Sequence, residues 1–262
     1  MKYSSIALLG SSLLGVANAH YHFPHLILNN TWTESFEYVR QVAPFPDTDS
    51  DLALSWPLLD PDSIDIRCGR NASVDFARVK TATVQAGDRV GFGLANASAI
   101  NGRGTMFHPG FGSAWLSKST TDDLHDYAGD GDWFKILNVT GRTEQSIDFS
   151  LPVFAAYKED YQAQWGTYLL NSYNFTIPES TPPGKYLLRW EHIYPIQRDS
   201  QIYVNCAHIE VVNPSDKIGT PTPTVKIPGV YKNGQPDLYF HVSPYQDFAT
   251  ILPPQPTVWS GN

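Results

Sequence analysis

Short extended runs, punctuated by turn residues and with no helical periodicity between them, limit this chain to an all-β architecture. Residues 21–28, 79–84, 89–94, 133–139, 146–151, 186–193 and 201–212 read as strands. Most alternate apolar with polar or small residues, the period of a strand with one buried face. Ala86-Gly87-Asp88 forms a turn signal between two of them. No segment repeats apolar residues at helical spacing, so helices are expected only as short pieces, around 122–127 and 154–160. The pattern predicts an immunoglobulin-like or fibronectin-like β-sandwich with long decorated loops and short helices.

The first nineteen residues stand apart. Lys2 gives a charged start, residues 6–16 are apolar, and Ala17-Asn18-Ala19 is the small-x-small pattern of a signal-peptidase site. Residues 1–19 therefore read as a secretory signal, and His20 as the first residue of the secreted, extracellular protein. The apolar run is too short to span a membrane, and no later run is long enough. Residues 20–262 are then expected to form one β-sandwich domain with an extended C-terminal loop, about 214–262, and no second module after it. Prolines and threonines crowd residues 220–224, but Tyr231, Tyr239, Phe240, Tyr245 and Trp259 can anchor that loop. The net charge of −8, without a Lys/Arg cluster, argues against nucleic acid as a partner. An uncharged substrate is compatible with it, and the protein is expected to act as a monomer.

Only two cysteines are present, Cys68 and Cys206, and both survive signal cleavage. In an oxidising route they are expected to pair. Such a bridge closes a long loop and contributes roughly 4–5 kcal/mol by loop entropy. Five Asn-x-Ser/Thr sequons begin at Asn29, Asn71, Asn96, Asn138 and Asn174, each a possible N-glycosylation site.

A chain beginning at His20 has a free α-amino group beside an imidazole. Two nitrogens from one residue can chelate a metal, and a third from another histidine completes a planar, T-shaped set suited to copper(II). His108, before the turn residues Pro109-Gly110, is a candidate third donor. His22, His25, His125, His192, His208 and His241 are others, and spacing does not choose among them. Along 201–207, Tyr203 and Asn205 lie on the face opposite Ile202, Val204 and Cys206. On this reading Cys206 faces the core and Tyr203 faces elsewhere, where it could neighbour a metal. No nucleophile elbow, His-Glu-x-x-His motif or phosphate loop is present.

Ordered matches run from end to end of residues 20–262. They include His20-Tyr21-His22-Phe23-Pro24, Ile66-Arg67-Cys68-Gly69 and residues 84–92. His108-Pro109-Gly110 with residues 114–118, then Trp133-Phe134-Lys135-Ile136, follow. Pro183-Gly184-Lys185-Tyr186 through Arg189-Trp190-Glu191-His192-Ile193 leads into Gln201-Ile202-Tyr203-Val204-Asn205-Cys206-Ala207. With these pieces the chain resembles fungal lytic polysaccharide monooxygenases of auxiliary activity family 9. The resemblance implies one copper ion on His20, through amine and imidazole, and His108, with Tyr203 axial. It implies Gln201 as an outer-shell group near bound oxygen, giving a catalytic set of His20, His108, Gln201 and Tyr203. It also implies the Cys68–Cys206 disulfide. The implied reaction is oxidative cleavage of cellulose or a related β-glucan, with oxygen or hydrogen peroxide as co-substrate. An external electron donor, a small reductant or a redox protein, is required. Tyr245 is a candidate stacking ring for the polymer.

The chain departs from the family at two points. The family's further histidine after Glu191-His192-Ile193 is missing, with Ile196 or Gln197 near its place, and Trp115 stands where a tyrosine is usual. Outer-shell groups tune a metal, so slower oxidation with normal copper binding is expected. Two other readings follow from the same residues. One is a copper-binding secreted protein of this fold with little or no oxidising activity. The other is a carbohydrate-binding sandwich without metal, which the His20 and His108 matches disfavour.

Overall fold

The computed structural model describes residues 20–46, 53–73, 76, 78–95 and 104–261. The proposed signal, 1–19, and the sequon at Asn96 lie outside the described residues. Among the described residues, nine strands form two sheets. They are β1 (His25–Leu28), β2 (Thr31–Trp32), β3 (Ala82–Gln85), β4 (Arg89–Gly93), β5 (Phe111–Lys118), β6 (Phe134–Val139), β7 (Ser172–Thr176), β8 (Gly184–Tyr194) and β9 (Gln201–Val212). One sheet runs β2-β1-β4-β7 and the other β3-β9-β8-β5-β6. All pairings are antiparallel except β3 with β9. The described helical pieces are short 3₁₀ turns, such as Pro152–Tyr157 and Tyr161–Gln164. This is the β-sandwich that the alternation predicts.

The inter-sheet core joins Phe23, Leu26, Val90 and Phe92 of the smaller sheet's side to Ala114, Leu116, Leu188, Trp190 and Ile209 of the larger. Tyr203 and Ala207 belong to this core. The opposite face of β9, carrying Ile202 and Cys206, packs under Ile66, Cys68, Tyr231 and Leu238. The expected assignment of faces is therefore reversed: Tyr203 points between the sheets, and Cys206 points outward under loops. Both faces of β8 and β9 are covered, so alternation alone could not tell core from cover.

Cys68 and Cys206 are bridged, with S–S 2.03 Å. From Asn213 onward the described chain forms no paired strand, yet Ile227, Tyr231, Leu238, Val242 and Trp259 are buried. That loop is fastened by polar contacts as well. Tyr231 donates to Glu191 Oε1 at 2.6 Å, and Lys135 Nζ donates to the Pro254 carbonyl at 2.6 Å.

Two expectations about elements are corrected. Residues 146–151 are not a strand. Ser146 bonds to the backbone at Thr143 and Gly166, and Asp148 receives the Ser150 N–H, so side chains compete for the backbone that a ladder would use. Residues 122–127 are turns and bends rather than helix: Asp123 accepts the His125 N–H and Asp126 accepts from Thr121.

Candidate metal centre

His20 precedes β1, and His108 ends the loop that enters β5. The path of that loop depends on Gly110, because a Cβ there would collide with the Ile193 carbonyl on β8. The close approach sets His108 flat against Tyr194, the last residue of β8, with ring centroids 4.5 Å apart and planes 3° from parallel. Tyr203 is the third residue of β9. The His20 and His108 rings lie 6.3 Å apart, and Tyr203 lies 6.4 Å from His20 and 6.1 Å from His108. Tyr203 donates to Gln201 Oε1 at 2.5 Å, so all four sequence-selected residues meet at one edge of the sandwich.

The other histidines are elsewhere or differently engaged. His22 stacks on Phe36 and bonds Ser55; His25 bonds the Thr33 carbonyl; His208 accepts from Arg40, with His125 nearby; His241 is exposed. His192 alone joins the cluster, from beneath. A self-consistent chain has Tyr21 donating to His192 Nδ1 (2.8 Å), His192 Nε2–H to Thr167 (3.0 Å), and Thr167 to the Gly110 carbonyl (3.2 Å). Tyr21 in turn stacks on Tyr203 at 4.1 Å.

Burial governs the electrostatics. It lowers His20 and, with His20 nearby, takes His108 down to about 4. It takes His192 down to about 3, helped by His108, and pushes the Tyr203 phenol well above its ordinary range. The site thus presents neutral imidazoles and a neutral phenol, and neutral imidazole is the form that ligates a metal.

The donor set suits a copper ion on one further observation. His108 Nε2 is buried without a hydrogen-bond partner. A buried ring nitrogen without a partner is costly unless something else occupies it. Among the described residues no group of three or more His, Cys, Asp or Glu side chains could hold a metal. Two imidazoles make a metal site only with a third donor, such as the amine that cleavage before His20 would free.

Sequence reasoning missed several neighbours. Trp56 packs on His20 at 4.7 Å, and Phe45 stacks on Trp56 at 5.0 Å. Both rings are about two-fifths exposed, so they form an aromatic ledge beside His20. No local motif marks them; they come from a loop far from His20 in sequence. Tyr21 and His192 stood inside matched segments, and His192 among the candidate donors, but the support they give Tyr203 was not read. Tyr245 is 95% exposed on the C-terminal loop, and none of the ring contacts around His20 involves it. Ile196 belongs to a short loop closed by Ser200, which bonds both its N–H and its carbonyl.

The model of Auxiliary Activity family 9 (formerly GH61) matches residues 20–250. The chain is 36% identical to AA9 family lytic polysaccharide monooxygenase U of Thermothielavioides terrestris, with all of both chains covered. It is 33% identical to AA9 family lytic polysaccharide monooxygenase A of Aspergillus fumigatus, covering all of this chain and 83% of that one. Among solved structures, CvAA9A superposes with a TM-score of 0.65 at 20% identity, covering 92% of this chain and 99% of that one. HiLPMO9B superposes with a TM-score of 0.63 at 21% identity, covering 92% and 100%. These two likenesses speak to the fold, and the family match with the close relatives speaks to descent: the chain belongs to auxiliary activity family 9.

Proposed function

We propose that this chain is a secreted lytic polysaccharide monooxygenase that oxidises cellulose or a related β-1,4-glucan at one copper ion held by His20 and His108. The observation that carries the proposal is the buried, partnerless Nε2 of His108, on a ring 6.3 Å from that of His20 and 6.1 Å from that of Tyr203. The family match beginning at His20, where the signal is expected to be cut, supports a free amine as third nitrogen. An α-amine has a pKa of about 7.7–8 and can lose its proton near neutrality to ligate. Copper, when bound, supplies the redox chemistry by which an external donor and oxygen or hydrogen peroxide oxidise a C–H bond beside the glycosidic link.

The chain's own residues hold and orient. Tyr203 would stand beside the two histidines as a further oxygen donor, and its hydroxyl donates to Gln201 Oε1. The Gln201 amide N–H₂ is then left as a donor toward the incoming oxidant, the outer-shell role proposed for it. Tyr21, fixed by His192, backs Tyr203 and keeps its ring from tilting. Trp56 and Phe45 offer flat apolar faces on which sugar rings stack, and Tyr245 offers a more distant one. Family members are secreted fungal enzymes, and among the described residues no helix is long and apolar enough to cross a membrane.

Copper-loaded protein starting at His20, with ascorbate and cellulose, is the direct test. Oxidised oligosaccharides in the mass spectrum, absent without copper or reductant, are expected, and the same spectra read which carbon is attacked. Tight copper binding with no oxidised product on cellulose or other β-glucans would overturn it in favour of the copper-binding reading.

A further inference from the structure

The sequons are not equivalent in the fold. Asn138 and Asn174 lie within the edge strands β6 and β7 and are half-buried. Asn174 Oδ1 is sealed against Gly91, where an added Cβ would collide with it. Asn29 and Asn71 are exposed and sit in left-handed turns, with φ of 48° and 62°. Asparagine tolerates that conformation, and its carboxamide is displayed there.

Asn71 has one feature that Asn29 lacks. It forms part of the wall of a cavity of about 490 Å³, together with Phe36, Gln41, Phe76 and Arg78. That size is within the range of small-ligand sites. Two walls are rigidly backed. The Arg40 guanidinium lies 3.6 Å over one face of Phe76, and Phe36 stacks on His22 with planes 5° apart. Phe36 is held at φ 58°, rare for a bulky residue, by its N–H bond to the Pro24 carbonyl at 2.8 Å. A groove with two aromatic faces and amide and guanidinium donors suits an acetamido sugar, and Asn71 stands at its edge.

We propose that Asn71 carries an N-linked oligosaccharide whose first N-acetylglucosamine settles in this groove, and that Asn174 stays unmodified. The donor is an oligosaccharide on a lipid diphosphate. The bond from Asn71 Nδ2 to sugar C1 forms, the bond from C1 to the diphosphate oxygen breaks, the amide loses one proton, and lipid diphosphate leaves. Transfer precedes folding, so burial of Ser73 in the finished protein does not prevent it; a chain modified at Asn174 could not seal that amide against Gly91 and would not fold to be secreted, so the secreted protein is bare there. The inference rests on the secreted reading, because the donor belongs to that route.

The test is glycopeptide mapping of protein recovered from the medium of a fungal host, with melting measured alongside. Ser73→Ala removes the sequon without touching the strained Asn71 backbone, and Ser73 Oγ makes no hydrogen bond that would be lost. Thr31→Ala serves as the control at Asn29. Three results are expected. Asn71 is occupied and Asn174 is not. Peptide N-glycosidase releases the Asn71 glycan from the native protein at least about tenfold more slowly than from denatured protein, because release from the native protein requires the groove to open locally. Ser73→Ala lowers Tm by about 2–4 °C, the shift of one good contact in a chain this size, and Thr31→Ala leaves it unchanged. Secreted protein bare at Asn71, or a glycan released equally fast from native and denatured protein with no Tm shift, overturns the proposal while secretion stands. Protein kept inside the cell with residues 1–19 intact overturns the secreted reading and the proposal together.

Discussion

The two faces of β8, toward its C-terminal end, carry two buried polar clusters built on opposite plans. On the outward face, Glu191 accepts from Arg189 (2.5 Å), Tyr231 (2.6 Å) and Ser113 (2.9 Å). Burial alone would raise the Glu191 carboxyl, but the Arg189 charge and these three donors outweigh it and hold it below the usual range. Beyond Tyr194, the His20 cluster keeps its groups neutral and leaves His108 Nε2 without a partner. The first cluster pairs its carboxylate from three sides, leaves Arg189 Nη1 without a partner, and fastens the C-terminal loop through Tyr231. The second holds neutral imidazoles, one with an open ring nitrogen that a metal could take. The contrast is between a buried ion pair and a neutral donor set.

Acid is the widest probe of that contrast, because it acts on several buried neutral histidines at once. Burial takes His22 to about 4, with His25 adding to it, and His192 to about 3, with His108 adding to it. In the unfolded chain each returns to about 6.5. Below 6.5 the unfolded chain binds more protons, so stability rises with pH across about 3 to 6.5 and is lost as pH falls through that window. Urea unfolding of the copper-free protein at pH 7, 5.5 and 4 should show this loss, and His192→Gln should lessen its slope. Equal stability at all three values would break the assignment.

The ion-paired cluster comes next. Glu191→Ala leaves Arg189 buried without its counter-charge, and removing one partner of such a pair costs about 3–5 kcal/mol. Thermal melting is expected to fall accordingly, while any protein that folds binds copper as before. The open cluster should respond in reverse. His108→Ala removes a proposed ligand, so copper affinity is expected to fall by more than the roughly 10–100-fold typical of an outer-shell loss. The copper-free protein loses little beyond the Tyr194 stack, worth about 0.5–1.5 kcal/mol. Calorimetric titration and melting of the same variant check both halves. The smallest effect is at the ledge. Trp56→Ala is expected to weaken binding to cellulose several-fold, within the roughly 0.5–1.5 kcal/mol of one ring contact, with copper affinity kept, as a binding isotherm would show.

Some of this was legible in the sequence, and the reasons differ by residue. The strand 201–212 was read to its ends because its length and alternation are unmistakable. β5 was not read as a strand: seven of its eight residues are buried, so no polar face alternates along it. Residues 146–151 were read as a strand because side-chain bonds to the backbone do not register in a hydrophobic pattern. His20, His108, Gln201 and Tyr203 were found through the family resemblance. Spacing could not pick His108 from its rivals, because what selects it is the close approach of Gly110 to β8. Trp56 was out of reach, and His192 was named only as one rival donor, for the same reason: a loop and a neighbouring strand bring them in, with no local motif for their roles.

The central claim is that the amine of His20 is the third nitrogen. Copper titration by calorimetry, comparing protein that starts at His20 with protein carrying one extra residue before it, tests this most directly. The account expects tight one-to-one binding in the first and a large loss of affinity in the second, with both forms equally folded. Equal affinity in the two would contradict it.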